Sequence, residues 1–167
     1  MLLIIAFLGV LAVGFVAFTG APYVPSKHTD VRRALTELYK VKANDTVVDI
    51  GSGDGIVLRE ASRLGAHAVG YEIHPVLVAI SRWLSRHDER VRIIFANFWK
   101  ADLPNETTVV YTFGDSRDIN KMYKKTQYEA SRMGRSLAFI TYGFDVPGVQ
   151  PTKTVGAHHL YIIEPLQ

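Results

Sequence analysis

The 167-residue chain contains no cysteine. That excludes a disulfide framework and any thiolate-ligated metal site. Nor is there a strong excess of one charge. The 19 Lys and Arg stand against 16 Asp and Glu, for a net charge of +3. This mild basicity lacks the clustered patch that nucleic-acid binding calls for. His28, His67, His74 and His87 have no metal-ligand spacing. His158 and His159 are adjacent on an expected strand, where neighbours point to opposite faces and do not share a metal. Neither a metal nor a nucleic acid is expected as a partner. Internal repeats and low-complexity segments are also missing, as is the dinucleotide fingerprint G-x-G-x-x-G.

What stands in place of that fingerprint is Val47-Val48-Asp49-Ile50-Gly51-Ser52-Gly53-Asp54-Gly55, followed by Ala68-Val69-Gly70-Tyr71-Glu72. The pattern reads as an apolar strand, a tight glycine turn, a helix start and a second strand ending in an acid. In an α/β sheet this arrangement marks a cofactor site at the carboxyl edge of parallel strands, with the acid about 20 residues on. The glycines are spaced G-x-G-x-G, and carboxylates stand before the turn (Asp49) and inside it (Asp54). Two carboxylates there repel a pyrophosphate. They suit a cofactor with a cationic amino-acid end, such as the ammonium and sulfonium of S-adenosylmethionine. Gly51 and Gly53 let backbone approach the ligand with no Cβ in the way. Asp49 is placed to accept from the ammonium. Glu72 is placed to accept from the ribose hydroxyls.

Residues 2–18 form an uninterrupted apolar run. A membrane-spanning helix needs about 20 such residues, with a lower limit near 17. No Lys or Arg precedes the run, and Pro22 follows the small residues Thr19-Gly20-Ala21. Both features disfavour a cleaved signal peptide. Lys27, Arg32 and Arg33 follow the run. By the positive-inside rule they place the remaining chain in the cytoplasm. The expectation is a single-pass membrane protein, with a cleaved signal or a buried helix as alternatives.

The length fits one domain. We expect residues 1–20 to be the anchor, 21–45 a linker and helix, and 46–167 the cofactor-binding domain. The linker Pro22-Tyr23-Val24-Pro25 is stiffened by its prolines. Residues 26–40 read as a helix capped by Ser26 or Thr29, with Val31, Ala34, Leu35 and Leu38 on one face. Strands are predicted at 46–50, 68–72, 91–95, 108–113, 137–142 and 159–163, and crossover helices at 57–64, 75–86 and 116–133. The Gly- and Pro-rich stretch 143–156 has room for a short strand. Alternating strands and helices mean a Rossmann-like α/β fold with a mostly parallel central sheet. The tail suggests antiparallel C-terminal edge strands, and one N-terminal hydrophobic helix precedes the sheet. Lys121, Lys124, Lys125, Arg132 and Arg135 read as a solvated helix face.

Taken together, these features resemble class I S-adenosylmethionine-dependent methyltransferases. Further stretches narrow the resemblance: Pro22-Tyr23-Val24-Pro25 after an apolar segment, Val69-Gly70-Tyr71-Glu72-Ile73-His74-Pro75 with Ser81-Arg82, and Phe98-Trp99-Lys100. They are similar to the membrane-associated protein-lysine methyltransferases that modify the ATP synthase c-subunit and the adenine nucleotide translocase. The resemblance implies S-adenosylmethionine as cofactor, and as partners the membrane bilayer and a protein with an accessible lysine near it. The cofactor candidates are Asp49, Gly51, Ser52, Gly53, Gly55, Glu72 and Ile73, with Asn97 and Phe98 after the third strand. Two departures stand out. Asn97-Phe98-Trp99 replaces the family's Asp-Leu-Trp, and Phe113-Gly114-Asp115-Ser116 replaces its Phe-Gly-Val-Pro. Asn97 still offers a hydrogen bond to an adenine edge.

On the acceptor side the candidates are Tyr23, Phe113 and Asp115. Tyr23 lies in the linker, where it also reads as an interfacial anchor. Asp115 also reads as a helix N-cap. A lipid or small apolar acceptor, and a non-catalytic binding module, are the competing readings. Removal of residues 1–20 is expected to move the protein from the membrane pellet to the soluble fraction with cofactor binding intact. A truncated protein that still pellets argues against the anchor.

Overall fold

The computed structural model describes residues 27–114 and 116–166. Its centre is a seven-stranded sheet in the order β3-β2-β1-β4-β5-β7-β6. The strands are β1 (Thr46–Ile50), β2 (His67–Glu72), β3 (Val91–Phe95), β4 (Val109–Thr112), β5 (Leu137–Tyr142), β6 (Lys153–Val155) and β7 (His158–Ile163). β1 to β5 run parallel. Every residue of β1 and β4 is buried. Strands covered on both faces read as continuous apolar runs, which is why they stood out in the sequence.

The chain lays β2 and β3 to one side of β1 and β4 and β5 to the other. The order therefore reverses between β1 and β4, and a crevice opens there at the carboxyl ends. β7 returns antiparallel beside β5, and β6 pairs antiparallel with β7. The expected tail hairpin is thus present. Its outermost strand is the short β6, and the last strand of the chain lies inside it.

Helices α1 (His28–Arg33), α2 (Ile56–Arg63), α3 (Pro75–Leu84) and α4 (Ile119–Met133) cover the sheet. One face packs Val31 and Leu35 of the first helical segment, Leu58 of α2 and Val78 of α3 over Val47, Ala68, Val109 and Ile140. The other packs Ile119 and Ala130 of α4 over Val48, Val69, Val110 and Phe139. His28 reaches Glu60 of α2 at 3.0 Å and ties α1 across the first face.

Two expectations change. The first helix is capped at Lys27 without a side-chain hydrogen bond, so Thr29 does not cap it, and Ser26 lies outside the described residues. It also loosens into a wider π turn over Ala34–Leu38. The basic face of α4 is only partly solvated. Glu129 is fully buried, and Lys125 and Arg132 close on it at 3.1 and 2.8 Å. Arg132 further donates to the Leu103 carbonyl, and Arg135 to that of Asn105. These side chains are drawn inward by a buried carboxylate and loop carbonyls that helical spacing does not reveal. The apolar run at residues 2–18 lies outside the described residues. Among the described residues no helix is long and apolar enough to cross a membrane.

Gly70, in the middle of β2, has tight surroundings on more than one side. A Cβ there would stand 2.5 Å from Ser52 Oγ and 2.6 Å from Leu58 Cδ1. Overpacking of this kind costs roughly 1–3 kcal/mol. Gly70→Ala is therefore expected to lower urea stability by about that amount, and an unchanged midpoint would show that the β2 to α2 contact yields freely.

Candidate functional site

The turn after β1 sits at the crevice. Gly51, Gly53 and Gly55 all adopt positive φ, at +71°, +54° and +81°. The turn needs this conformation and side chains oppose it. Gly51 N and Ser52 N both donate to the Tyr71 carbonyl, at 2.9 and 3.1 Å, pinning the turn to β2. Nothing lies within 4 Å of where a Gly51 Cβ would be, so its backbone faces open space. A Cβ on Gly55 would meet Ser81 Oγ at 2.2 Å, so here the glycine allows close packing of α2 on α3.

Glu72 is buried at the end of β2. Its Oε2 accepts from Gly53 N at 2.9 Å, and its Oε1 accepts from Ile73 N and His74 N at 2.8 and 2.7 Å. A carboxylate has about four acceptor positions, so Glu72 braces two backbone segments and keeps capacity for one ligand hydroxyl. Ile73 follows it, 46% exposed at the rim.

Asp49 is 3% exposed. In register it lies between Gly70 of β2 and Tyr111 of β4. Burial, then the charges of Glu72 and Asp54, hold its carboxyl well above the usual aspartate range. Asp54 has a different environment. Arg59 of α2 closes on it at 3.2 Å, and its Oδ1 accepts from Ile56 N at 3.2 Å. Of the two acids flanking the turn, only Asp49 has no cation or hydrogen-bond donor among the described residues. Ser52 Oγ is buried nearby and likewise has no partner among them. A cationic amino-acid end fits this pair of unsatisfied oxygens, and an adenosine fits Glu72 and Ile73, so the residues present suit S-adenosylmethionine.

Asn97 and Phe98 lie past β3. Asn97 Oδ1 accepts from Trp99 N at 3.0 Å and caps a short 3₁₀ turn, which leaves its amide to donate outward. The Phe98 ring is buried, 6.1 Å from Tyr71. Phe113 leaves β4 with its ring 5.0 Å from that of Tyr142. The fold thus gathers Asp49, Gly51, Ser52, Gly53, Gly55, Glu72 and Ile73 at one corner, with Asn97 and Phe98 on the β3 side and Phe113 on the β4 side. Tyr23 and Asp115 lie outside the described residues. Sequence reading missed Gly70 and Arg59. A glycine inside a strand was the available signal for Gly70. Arg59, one helical turn beyond the glycines, gave none.

Comparison with known proteins agrees with this site. The model of the ANTKMT methyltransferase domain matches residues 49–153. The lysine N-methyltransferase of the ATP synthase c-subunit from Xenopus laevis is 36% identical over 120 residues, covering 70% of this chain and 52% of the relative. The chain therefore spans about half the length of that relative. A protein-lysine N-methyltransferase of Saccharolobus islandicus is 31% identical over 141 residues, covering 80% of this chain and 83% of the relative. Among solved structures, an RNA methyltransferase from Salinibacter ruber in complex with S-adenosyl-L-homocysteine superposes with a TM-score of 0.72 at 27% identity. It covers 84% of this chain and 94% of that one.

The raised Asp49 has a measurable consequence. The folded free protein keeps a proton on Asp49 where the unfolded chain, with an aspartate near pH 4, has lost it. Stability of the free protein therefore falls as pH rises from that range to the raised value. A cationic ligand favours the carboxylate, so its binding expels a proton and its affinity rises with pH over the same window. Asp49→Asn is expected to stabilise the free protein at neutral pH, weaken cofactor binding and abolish the proton release. Calorimetry in buffers of different ionisation heat reads this directly. Absence of proton release in the unsubstituted protein would mean that Asp49 is already ionised.

Proposed function

This chain belongs to the ANTKMT methyltransferase family, and we propose that it methylates a lysine side chain of a membrane protein. Its cofactor is S-adenosylmethionine. The observation that carries the cofactor half of this reading is the buried Asp49 carboxyl group at the crevice, with no cation or donor among the described residues. Its ionised form calls for a cation to offset its burial.

S-adenosylmethionine supplies an electrophilic methyl carbon on a sulfonium. Asp49 and Ser52 hold the ammonium end. The free acceptor position of Glu72 takes a ribose hydroxyl. Ile73, the Asn97 amide and Phe98 would hold the base, and the open backbone of Gly51 leaves room for the ligand. The chain's contribution is positioning in a dry pocket. A lysine must shed its proton before it reacts, and desolvation against Phe113 lowers its pKa in that direction. Tyr23 and Asp115 complete the acceptor side by their sequence positions in the linker and at the exit of β4. Two relatives named as lysine N-methyltransferases support a lysine acceptor.

The membrane setting is part of the proposal. Residues 1–20 anchor the chain, with the catalytic domain on the cytoplasmic side. The apolar run at 2–18 and the flanking Lys27, Arg32 and Arg33 support this. The outer face of α3 supports it too. Val76, Ile80 and Trp83 are exposed there, and the Arg86 guanidinium lies 4.9 Å from the Trp83 ring. Exposed apolar side chains with Trp and Arg suit a headgroup layer. Confinement to the bilayer raises the effective concentration of membrane acceptors.

The test combines purified full-length protein, methyl-labelled S-adenosylmethionine and membranes from cells lacking the gene. Label is expected in a protease-sensitive band and maps to a lysine. Label in the organic phase alone would replace the protein acceptor with a lipid or small apolar molecule. Label in RNA alone would move the assignment to nucleic acid.

A further inference from the structure

Aromatic residues from three neighbouring strands line one edge of the sheet, at the carboxyl ends of β4 and β5 and the amino end of the antiparallel β7. Phe113 follows β4, Tyr142 ends β5, and His158 opens β7 directly opposite Tyr142 in the antiparallel register. The ring centroids are 5.0 Å apart from Phe113 to Tyr142 and 4.5 Å apart from Tyr142 to His158. The row lies on the sheet face that also carries Asp49. Asp49 pairs in register with Tyr111, and the Tyr111 hydroxyl meets His158 Nε2 at 2.8 Å. At one end of the row Phe113 borders the cofactor crevice. At the other, α1 covers a recess of about 110 Å³ lined by Asp30, Arg33, Tyr142, Val155 and His158.

The charges of this recess favour one kind of guest. Arg33 turns to Glu37 at 3.3 Å. Among the described residues the Asp30 carboxylate has a hydrogen bond only with the Thr29 hydroxyl, at a long 3.5 Å. Burial lowers the His158 imidazole to about 4, so it is neutral near pH 7. What remains is one available carboxylate beside ring faces. Ring faces attract cations, and the recess has room for a slender chain. An ammonium on an apolar stem meets both conditions, whereas a phosphate or a carboxylate would be repelled by Asp30.

We propose that this row is the entry for the acceptor amine. Asp30 draws the ammonium in, Tyr142 and His158 hold the stem, and Phe113 ends the path beside the cofactor turn. The inference rests on the lysine-methyltransferase reading above and adds Asp30, Tyr142 and His158 to it.

The experiment uses the full chain, with n-butylammonium as probe and 1-pentanol as its neutral counterpart, followed by saturation-transfer NMR. Cofactor affinity is measured by calorimetry on the same samples. Saturable binding of n-butylammonium is expected, weaker by about fivefold in Asp30→Asn and in Tyr142→Leu, which is the size of one cation–π or charge contact. Tyr142→Phe keeps the ring and is expected to retain binding. Cofactor affinity is expected to be unchanged in all three variants. Equal binding of 1-pentanol, or undiminished n-butylammonium binding in Asp30→Asn, overturns the proposal. Normal cofactor binding with no n-butylammonium binding sinks this inference alone. Loss of cofactor binding in the unsubstituted protein removes the methyltransferase reading itself.

Discussion

The carboxylate of Glu72 holds the site together. It accepts from the backbone of Gly53 on one side and of Ile73 and His74 on the other. Left without it, each buried donor costs roughly 1–3 kcal/mol. The glycine turn and the β2 to α3 corner come from different parts of the chain, and this one side chain fixes their distance. The Tyr71 carbonyl, one residue earlier, receives Gly51 and Ser52 and completes the seam. Positive φ at three glycines is tolerable here because the bonds made around them compensate for their lost freedom.

Three carboxylates meet at this corner, and the fold treats each differently. Glu72 is satisfied by backbone donors. Asp54 is neutralised by Arg59. Asp49 receives neither, so burial and its neighbours push it toward the protonated form. The result is a single position where positive charge is favoured, in a setting of low dielectric that strengthens the pairing. A corner with all three acids unpaired would have repelled itself apart. Full pairing, on the other hand, would have left nothing for a ligand to do.

The proposed acceptor half follows from the same sheet. Parallel strands end at a common edge, and the antiparallel β7 begins there, so residues far apart in sequence line up. Phe113, Tyr142 and His158 become neighbours for that reason. The face on which they stand is set by the alternation of each strand, and the pairing of Asp49 with Tyr111 places cofactor and acceptor chemistry on that one face. α1 then closes the face from above, bringing Asp30 to a recess that belongs to no single element.

Much of this was legible in the chain itself. Apolar runs bounded by Gly, Pro and Asp located the five parallel strands to within a residue or so, because buried strands need such runs. The glycine turn and Glu72 were legible because their chemistry is local and their spacing is that of one strand-helix-strand unit. Readings that assumed an element in isolation fared less well. The basic face of α4 looked solvated until Glu129 drew Lys125 and Arg132 inward. The first helix looked longer and better capped than it is. The sequence by itself determined the fold class, the cofactor corner and the kind of charge it wants, since these rest on periodicity and short-range spacing. Only the tertiary structure decided which acid stays unpaired, why Gly70 is a glycine, and that Asp30, Tyr142 and His158 share one recess. Those facts depend on strand register and helix docking between segments tens of residues apart, and no local pattern encodes them.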